Sequence, residues 1–304
     1  VRVTDDKDAT ATAPGTVIVN NVAPAVEVDV PSQTLQYSDA LGTVTVTASD
    51  VVGDGLDASA EEVPAGVSFD AGGCSDSGGR VTCTWTLSGF VDVPEGTYEV
   101  TVAVTDKDED QTETTAVVIV IPEDATVAFA AANPVAVDVA APGGASVPFT
   151  LTVFVKETQP DQPEVASGPG DAGHAVVAVS LVPVAQGGVA TPAGPCARTV
   201  AGEAYDGLLT VACPFLAVPV NTYSVQVAVG GGYFAGAGED VLTIYDPSLG
   251  FTSGGGWFYW PGTLDKTNFG LNAKFLKNKK VQGSLLMIRH LADGTIYRLK
   301  SNAL

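Results

Sequence analysis

Charged side chains are scarce in this sequence, and basic ones are scarcer still. Asp, Glu, Lys and Arg together make up 16% of the 304 residues, and 14 Lys and Arg stand against 35 Asp and Glu. The resulting net charge of −21 argues against nucleic acids and anionic membranes as partners, because like charges repel one another. The same charge favours solubility and suits the binding of cations.

Long hydrophobic runs are also missing. The most apolar stretch, AVVAVSLVPVA at 175–185, is too short to cross a bilayer as a helix, so we predict no membrane span. No segment has the 3.6-residue period of an amphipathic helix. Together these absences leave an all-β protein as the expected fold class.

The sequence has few of the residues that carry catalysis. It contains no Gly-x-Ser-x-Gly, His-Glu-x-x-His or Gly-x-x-x-x-Gly-Lys motif, and its only histidines are His174 and His290. Each histidine is expected to be a surface or packing residue. Carboxylates are abundant, but they cluster in turns that look like the edges of sandwiches and not like a cleft. We therefore predict that the protein is not an enzyme and needs no cofactor, calcium aside.

The four cysteines fall into two local pairs. Cys74 and Cys83 flank SDSGGRVT, and Cys196 and Cys213 enclose a longer stretch. Even, local pairing predicts two disulfides and an oxidising compartment. A zinc site is the weaker alternative, because no Cys-x-x-Cys motif is present. The localisation expected from this pattern is secreted, extracellular or cell-surface.

Internal repeats and period-two alternation organise the chain. Val3-Thr4-Asp5 recurs as Val104-Thr105-Asp106, 101 residues later, and TYEV at 97–100 resembles TYSV at 222–225. Stretches such as TVTVTAS and PFTLTVFV alternate and are rich in Val and Thr, whose branched side chains suit strands. A repeating unit of about 100 residues has the size of an immunoglobulin-like (Ig-like) sandwich.

These repeats predict four regions. They are a terminal hairpin of an incomplete Ig-like domain at 1–23, a complete sandwich at 24–123, a second sandwich with a Pro-rich insert (157–173) at 124–248, and a basic, aromatic, β-rich segment at 249–304. The last region carries eight Lys or Arg against two Asp, a net charge of +6, which leaves −27 for the rest of the chain.

A family resemblance supports this organisation. The stretch TYEVTVAVTDKDEDQTETTAVVIV resembles the terminal strands of PKD-like and other bacterial Ig-like repeats. The segment DPSLGFTSGGGWFYWPG, followed by KTNFGLNAKF and QGSLLMIRH, is similar to the region after such repeats in large bacterial surface proteins. The resemblance implies tandem Ig-like (PKD-like) β-sandwich domains with spacer, stalk, adhesive or assembly roles, and it implies no catalytic residues.

Two turns between strands carry clustered carboxylates. Such a cluster can hold Ca²⁺, a hard cation that takes several oxygen ligands. The alternative is a solvated acidic turn that prevents unwanted strand pairing, and the spacing does not match an EF-hand. The candidate ligands are Asp5, Asp6 and Asp8 in the first turn and Asp106, Asp108 and Asp110 in the second.

An aromatic run at 257–260 offers a possible glycan site. If exposed, Trp257, Tyr259 and Trp260 could stack on sugar rings. The alternative is a strand that packs alternate rings into a core, turned by the Pro-Gly that follows. A planar, solvent-facing set of rings favours glycan binding.

The incomplete ends motivate the functional hypothesis. A lone hairpin is marginal in water, and its unpaired edge invites association. LLMIRH at 285–290 is apolar on both alternating faces, as expected for a strand buried on both sides. We therefore expect an extracellular structural subunit that assembles head to tail by strand complementation into a homo-oligomer, filament or surface layer. The alternative is a carbohydrate- or calcium-binding adhesive module of a larger surface protein.

Overall fold

The computed structural model describes residues 1–16, 20–159, 172–184, 188–202, 207–249, 252–275 and 281–301. The regular elements in these ranges are β-strands, apart from two short 3₁₀ turns at Ala172–His174 and Pro247–Leu249. The predicted all-β class is thereby confirmed. Most of the Pro-rich insert, part of the first predicted hairpin and the lysine-rich stretch 276–280 lie outside the described residues.

The chain begins with a small exposed hairpin. Its strands are β1 (Arg2–Thr4) and β2 (Thr10–Thr12), which pair antiparallel. All six strand residues are exposed. The hydrogen bonds of residues 1–16 that the structure describes stay within the hairpin, such as that from the Val1 amino group to the Ala13 carbonyl (2.8 Å).

Two four-stranded sheets form the first sandwich. One sheet has the order β3-β5-β8-β7, and the other has the order β4-β10-β9-β6, in which β4 runs parallel to β10. The strands are β3 (Ala25–Val28), β4 (Ser32–Gln36), β5 (Ala40–Val51), β6 (Asp57–Glu61), β7 (Val67–Ser77), β8 (Arg80–Phe90), β9 (Gly96–Thr105) and β10 (Gln111–Ile121).

Period-two alternation builds the core of this sandwich. On β9, Val100, Val102 and Val104 are fully buried, and the residues between them are half-buried. On β8, Trp85 and Leu87 point into the same core. Burial of each such side chain contributes about 1.5–3 kcal/mol, so this shared apolar face is the main stabilising feature of the sandwich.

The second sandwich consists of two sheets joined along one edge. Its outer sheet has the order β15-β14-β18-β19 with β12 also on β19, and its other sheet has the order β11-β13-β17-β16, with β11 joining β19 at one end. The strands are β11 (Glu123–Phe129), β12 (Ala136–Asp138), β13 (Phe149–Glu157), β14 (Val176–Pro183), β15 (Thr191–Pro192), β16 (Ala197–Ala201), β17 (Leu208–Phe215), β18 (Asn221–Gly230) and β19 (Phe234–Tyr245).

The basic segment forms a third layer against the second sandwich. Strands β20 (Thr252–Tyr259), β21 (Lys266–Phe275), β22 (Val281–His290) and β23 (Ile296–Ser301) make an antiparallel meander, here called the C-terminal sheet. Leu286 and Ile288 of β22 pack with Val184 and Val241 of the second sandwich.

The prediction that LLMIRH is buried on both sides was wrong. Leu286 and Ile288 are buried, but Leu285 and Met287 between them are only half-buried. The second sandwich covers one face of the C-terminal sheet. Because alternate residues of a strand point to opposite faces, the other face stays partly open to solvent among the residues described.

An aromatic cluster joins the two sandwiches. Tyr37, which is fully buried, packs edge-on against Tyr233 and Phe234 with ring centroids 4.9 and 5.7 Å away. Its hydroxyl also lies 2.8 Å from His174 Nδ1. Only Pro122 separates β10 from β11, and the buried residues of both sandwiches form one continuous hydrophobic cluster.

Both predicted disulfides are present. Cys74 and Cys83 face each other across β7 and β8, and Cys196, just before β16, bonds to Cys213 on β17. Cys83 and Cys213 are buried, so each bond ties the edge of a sheet to a core. They close loops of 9 and 17 residues in sequence separation, each of which stabilises the fold by about 3 kcal/mol in the chain-entropy account.

Each sandwich contains a tyrosine corner. The Tyr98 hydroxyl donates to the Pro94 carbonyl (2.9 Å), and the Tyr223 hydroxyl donates to the Pro219 carbonyl (2.8 Å), four residues upstream in both cases. This contact is typical of Ig-like sandwiches. It explains the TYEV and TYSV repeat at the level of atoms.

Stability is expected to fall at high pH because of Tyr223. Burial raises the pKa of its phenol from 10.0 to about 12, so the folded protein holds this proton more tightly than the unfolded chain does. The contribution is fully present below pH 10 and is lost between about pH 10 and 12. Urea unfolding across this range should show a shallower decline for Tyr223→Phe, which also loses about 1 kcal/mol with its hydrogen bond. An exposed control, Tyr297→Phe, should behave like wild type, and equal slopes in all three proteins would contradict the assignment.

Candidate functional site

Strand β20 divides its aromatic rings between the two faces of the C-terminal sheet. Trp257 and Tyr259 stand directly opposite Asn268 and Lys266 of β21, and all four side chains border a cavity against the second sandwich. Trp257 and Tyr259 are 52% and 56% exposed, so they line an open cavity and not a core.

Trp260 lies on the opposite face. Its ring stacks with Phe258 at a centroid distance of 6.2 Å, and the Arg289 guanidinium lies 4.8 Å from its centre. The three predicted stacking residues therefore do not form one platform, because alternation along the strand separates them.

The rings of Trp257 and Tyr259 form an angled wall. Their centroids are 5.4 Å apart and their planes meet at 73°. The pair is therefore not the planar set of rings that would favour glycan stacking. Lys266 Nζ lies 5.7 Å from the centre of the Trp257 ring. An apolar surface and a cation thus meet at one point.

Three adjoining cavities follow the seam between the second sandwich and the C-terminal sheet, and together they are here called the seam groove. The first, of about 280 Å³, lies between Trp257, Tyr259 and the loop 130–135. The second, of about 620 Å³, shares Asp240, Lys266 and Asn268 with the first. The third, of about 380 Å³, shares Ala237, Gly238, Glu239 and Ile296 with the second.

Asp240 and Asn268 form the polar centre of the seam groove. The Asn268 side-chain amide donates to Asp240 Oδ1, which also accepts the Val241 N–H (2.7 Å). Asn268 is 6% exposed, and its Oδ1 has no hydrogen-bond donor among the described residues. A buried acceptor left unpaired costs about 1–3 kcal/mol.

The edge of β19 opens into the same groove. The Thr243 N–H donates outward to the Val135 carbonyl, so by alternation the backbone groups of Val241, Glu239 and Ala237 point to the same edge. Strand partners on this edge, among the residues described, occur only at 234–235 and 243–245. The amides and carbonyls of Ala237 and Glu239 therefore have no strand partner on this edge among the residues described.

Charge within the seam groove is nearly balanced. Glu239 is buried, accepts a hydrogen bond from Ser224 Oγ (2.6 Å) and forms an ion pair with Arg298. Burial raises the pKa of Asp240, an effect that its hydrogen bonds and nearby Lys266 partly offset. Burial also lowers the pKa of His290 below its usual 6.5, so the imidazole is neutral at pH 7.

In both acidic turns, a carboxylate accepts hydrogen bonds from the backbone of its own turn. Asp106 Oδ1 accepts the N–H groups of Asp108 (2.9 Å) and Asp110 (3.0 Å). In the first repeat, Asp5 Oδ1 accepts those of Lys7 (2.9 Å) and Ala9 (2.8 Å) in the same way. Asp6 and Asp8 are exposed in that turn. No group of three His, Cys, Asp or Glu in the described ranges could hold a metal ion. Calcium binding by these turns stays a prediction.

Replacement of Asp106 by alanine should destabilise the first sandwich. Asp106 is 5% exposed, and its Oδ2 accepts the Asn21 side-chain amide (2.6 Å) in addition to the two turn bonds. Loss of these bonds should cost about 2 kcal/mol, measured by urea unfolding. Asp108→Ala, at an exposed position of the same turn, should cost little.

Melting in excess chelator tests the calcium prediction separately. A lower melting temperature in chelator would support a bound ion, by ligand linkage. An unchanged melting temperature would leave the carboxylates with the turn-forming role alone.

The two sandwiches and their tyrosine corners identify the structural class of the protein. Two β-sandwiches, each with a tyrosine corner, have the architecture of Ig-like domains. Residues 9–122 match the family described as "Putative Ig domain" (He_PIG), in agreement with the Ig-like fold of the first sandwich. The match begins within the first hairpin, and the predicted domain boundaries stay predictions.

Comparison with solved structures gives distant likenesses. An adhesin of Yersinia pseudotuberculosis, InvE, is 16% identical, with 90% of this chain and 69% of that chain covered and a TM-score of 0.35. A Bacteroides ovatus protein from a mixed-linkage glucan utilization locus, SGBP-B, solved with a heptasaccharide, is 14% identical over 93% of this chain and 70% of that chain, with a TM-score of 0.22. No curated protein matches the chain. Within the described residues, no helix is long and apolar enough to cross a membrane.

Proposed function

We propose that this chain is an adhesive module of an extracellular surface protein and that it binds carbohydrate in the seam groove. The observation that carries the proposal is the placement of Trp257 and Tyr259, more than half exposed, at the mouth of a cavity floored by Asp240 and Asn268. Aromatic faces pack on the C–H faces of sugars, while carboxylate and amide groups bond their hydroxyls. Two disulfides fit an oxidising, extracellular location.

The position of Trp257 supplies a matched test. Isothermal titration calorimetry against oligosaccharides, with binders first found on a glycan array, should show at least about a tenfold weaker affinity for Trp257→Ala, since buried tryptophans dominate many interfaces. Trp260→Ala removes a tryptophan just after the same strand and on the opposite face of the sheet, and it should bind like wild type. Equal loss in both variants would place the binding surface elsewhere, and no binding to any glycan would contradict the proposal.

Self-assembly is the second candidate function, and the exposed N-terminal hairpin favours it. The edges of β1 and β2 lack strand partners among the described residues, and Val1 and Val3 are 85% and 63% exposed. Such an edge can add to a sheet of a second copy. The opposite charges of residues 249–304 and of the remaining chain favour a head-to-tail contact, which repeats into a ring or filament.

Negative-stain microscopy of native material tests the assembly hypothesis. Polymers are expected from the intact protein and not from a variant that lacks residues 1–23. A monomeric native protein, or polymers that survive the truncation, would show that the hairpin donates no strand.

A further inference from the structure

We infer that the seam groove takes a neutral, linear glycan that lies lengthwise across its three cavities, with Trp257 at one end and the outer sheet of the second sandwich at the other. This inference rests on the proposed function and specifies its ligand. It is carried by the shape of the third cavity, by the continuity of the three cavities and by their balance of charge.

The third cavity has a flat floor of small side chains. Ala178, Ala228 and Ala237 stand directly opposite one another on the neighbouring strands β14, β18 and β19, and all three are exposed. With strands about 4.8 Å apart, this row extends for about 10 Å. A row of alanines keeps the surface low, so a ligand can lie flat across the strands.

The neighbouring row supplies polar groups to the same cavity. Ser180, Gln226 and Glu239 are aligned across the same three strands, and Arg298 of β23 faces them through its ion pair with Glu239. Hydroxyl, amide and charged groups therefore border the apolar floor on one side. This pairing of an apolar surface with a polar margin suits a sugar, which has C–H faces and a rim of hydroxyls.

Neighbouring cavities share lining residues. Ala237, Gly238 and Glu239 border both the third and second cavities, and Asp240 and Asn268 border both the second and first. The open backbone edge at Ala237 and Glu239 lies at the middle of this path. A cavity of about 300 Å³ or more can already hold a small ligand. Three adjoining cavities in a row therefore fit several linked units better than one.

The balance of charges that line the seam groove favours a neutral glycan. Arg298 is paired with Glu239, Lys266 lies near Asp240, and burial disfavours the charged form of His290, so the cations among the described lining residues are balanced by carboxylates. The net charge of −21 on the whole chain also repels polyanionic glycans over longer distances. A polyuronate is accordingly the matched negative ligand.

Chain-length dependence tests the inference directly. The probes are linear β-1,4-linked glucose and N-acetylglucosamine oligosaccharides of one to six units and oligogalacturonate of the same lengths, titrated by calorimetry into the full chain. Affinity for at least one neutral series should rise at least tenfold from the disaccharide to the tetrasaccharide or beyond. Oligogalacturonate should bind at least tenfold more weakly than that series.

A second test blocks the third cavity of the seam groove with a bulky side chain. Ala228→Phe fills the floor of the third cavity at an exposed position, and it should reduce affinity for the longest neutral oligosaccharide to that of a shorter one, while leaving the shortest binder unchanged. Ala197→Phe, at an exposed position of β16 away from the groove, is the control and should match wild type.

The outcomes separate the inference from the proposed function. Binding that is equally tight for short and long oligosaccharides, a preference for the polyuronate, or no effect of Ala228→Phe would each overturn the lengthwise neutral chain and leave carbohydrate binding intact. A failure of every oligosaccharide to bind, with none found on the array, would overturn both.

Discussion

Replacement of Gly270 by valine is expected to detach the C-terminal sheet from the second sandwich. A Cβ at Gly270 would lie 2.6 Å from Thr243 Oγ1 and 2.7 Å from Val241 Cγ1, in the middle of the contact between β21 and β19. Branched carbons cannot fit there without separation of the two layers. Overpacking of this kind costs about 1–3 kcal/mol and sometimes more. Because Gly270 lies at the middle of this contact, we expect the upper end of that range.

Limited proteolysis and glycan binding report the detachment. In Gly270→Val, cleavage within residues 252–301 should accelerate at least tenfold, and binding in the seam groove should be lost, because the groove exists only between the docked layers. Gly254→Val is the control in the same sheet, since a Cβ at Gly254 meets nothing within 4 Å. Wild-type proteolysis and binding in Gly270→Val would show that the sheet docks differently.

The second large effect is expected at Gly66, where two backbone segments of the first sandwich meet. Gly66 has a φ of +85°, and a Cβ there would lie 1.9 Å from the Phe90 carbonyl oxygen. The Gly66 carbonyl also accepts the Phe90 N–H (3.1 Å). Gly66→Ala must therefore break this contact between the turn before β7 and the end of β8. We expect a loss of about 4 kcal/mol or more in the free energy of unfolding.

A second variant, Gly79→Ala, distinguishes the free-energy cost of the steric clash from that of the left-handed backbone. The φ of Gly79 is +81°, nearly that of Gly66, but a Cβ at Gly79 meets nothing within 4 Å. Gly79→Ala should therefore show the left-handed strain alone, about 1–2 kcal/mol. Urea unfolding of the two variants measures the difference, and similar losses would mean that the backbone approach at Gly66 relaxes easily.

Local sequence features predicted most of the fold. Val100, Val102 and Val104 alternate with the smaller Thr101 and Ala103, so a strand with one buried face follows from the pattern. The cysteines lie close together in sequence and join neighbouring strands, which makes their pairing readable without a structure. The repeated Thr-Tyr pair marks the tyrosine corners of both sandwiches.

The seam groove could not be predicted in this way. Asp240 and Asn268 belong to different layers and meet only because the C-terminal sheet docks on β19, and nothing in either strand's own pattern encodes that contact. His290 was expected to be a surface or packing residue, and its half-buried position beside the groove becomes evident only from the packing. One signal was available: period-two alternation already separates Trp257 and Tyr259 from Trp260.

The aromatic junction between the sandwiches has a mechanical consequence. Neighbouring domains of one chain move relative to each other unless the interface between them is large and hydrophobic. Here Pro122 alone separates β10 from β11, and Tyr37 is wedged against Tyr233 and Phe234. The two sandwiches should therefore rotate together as one rigid body. A force applied to the first sandwich would be transmitted to the seam groove, because the junction between the two sandwiches does not bend.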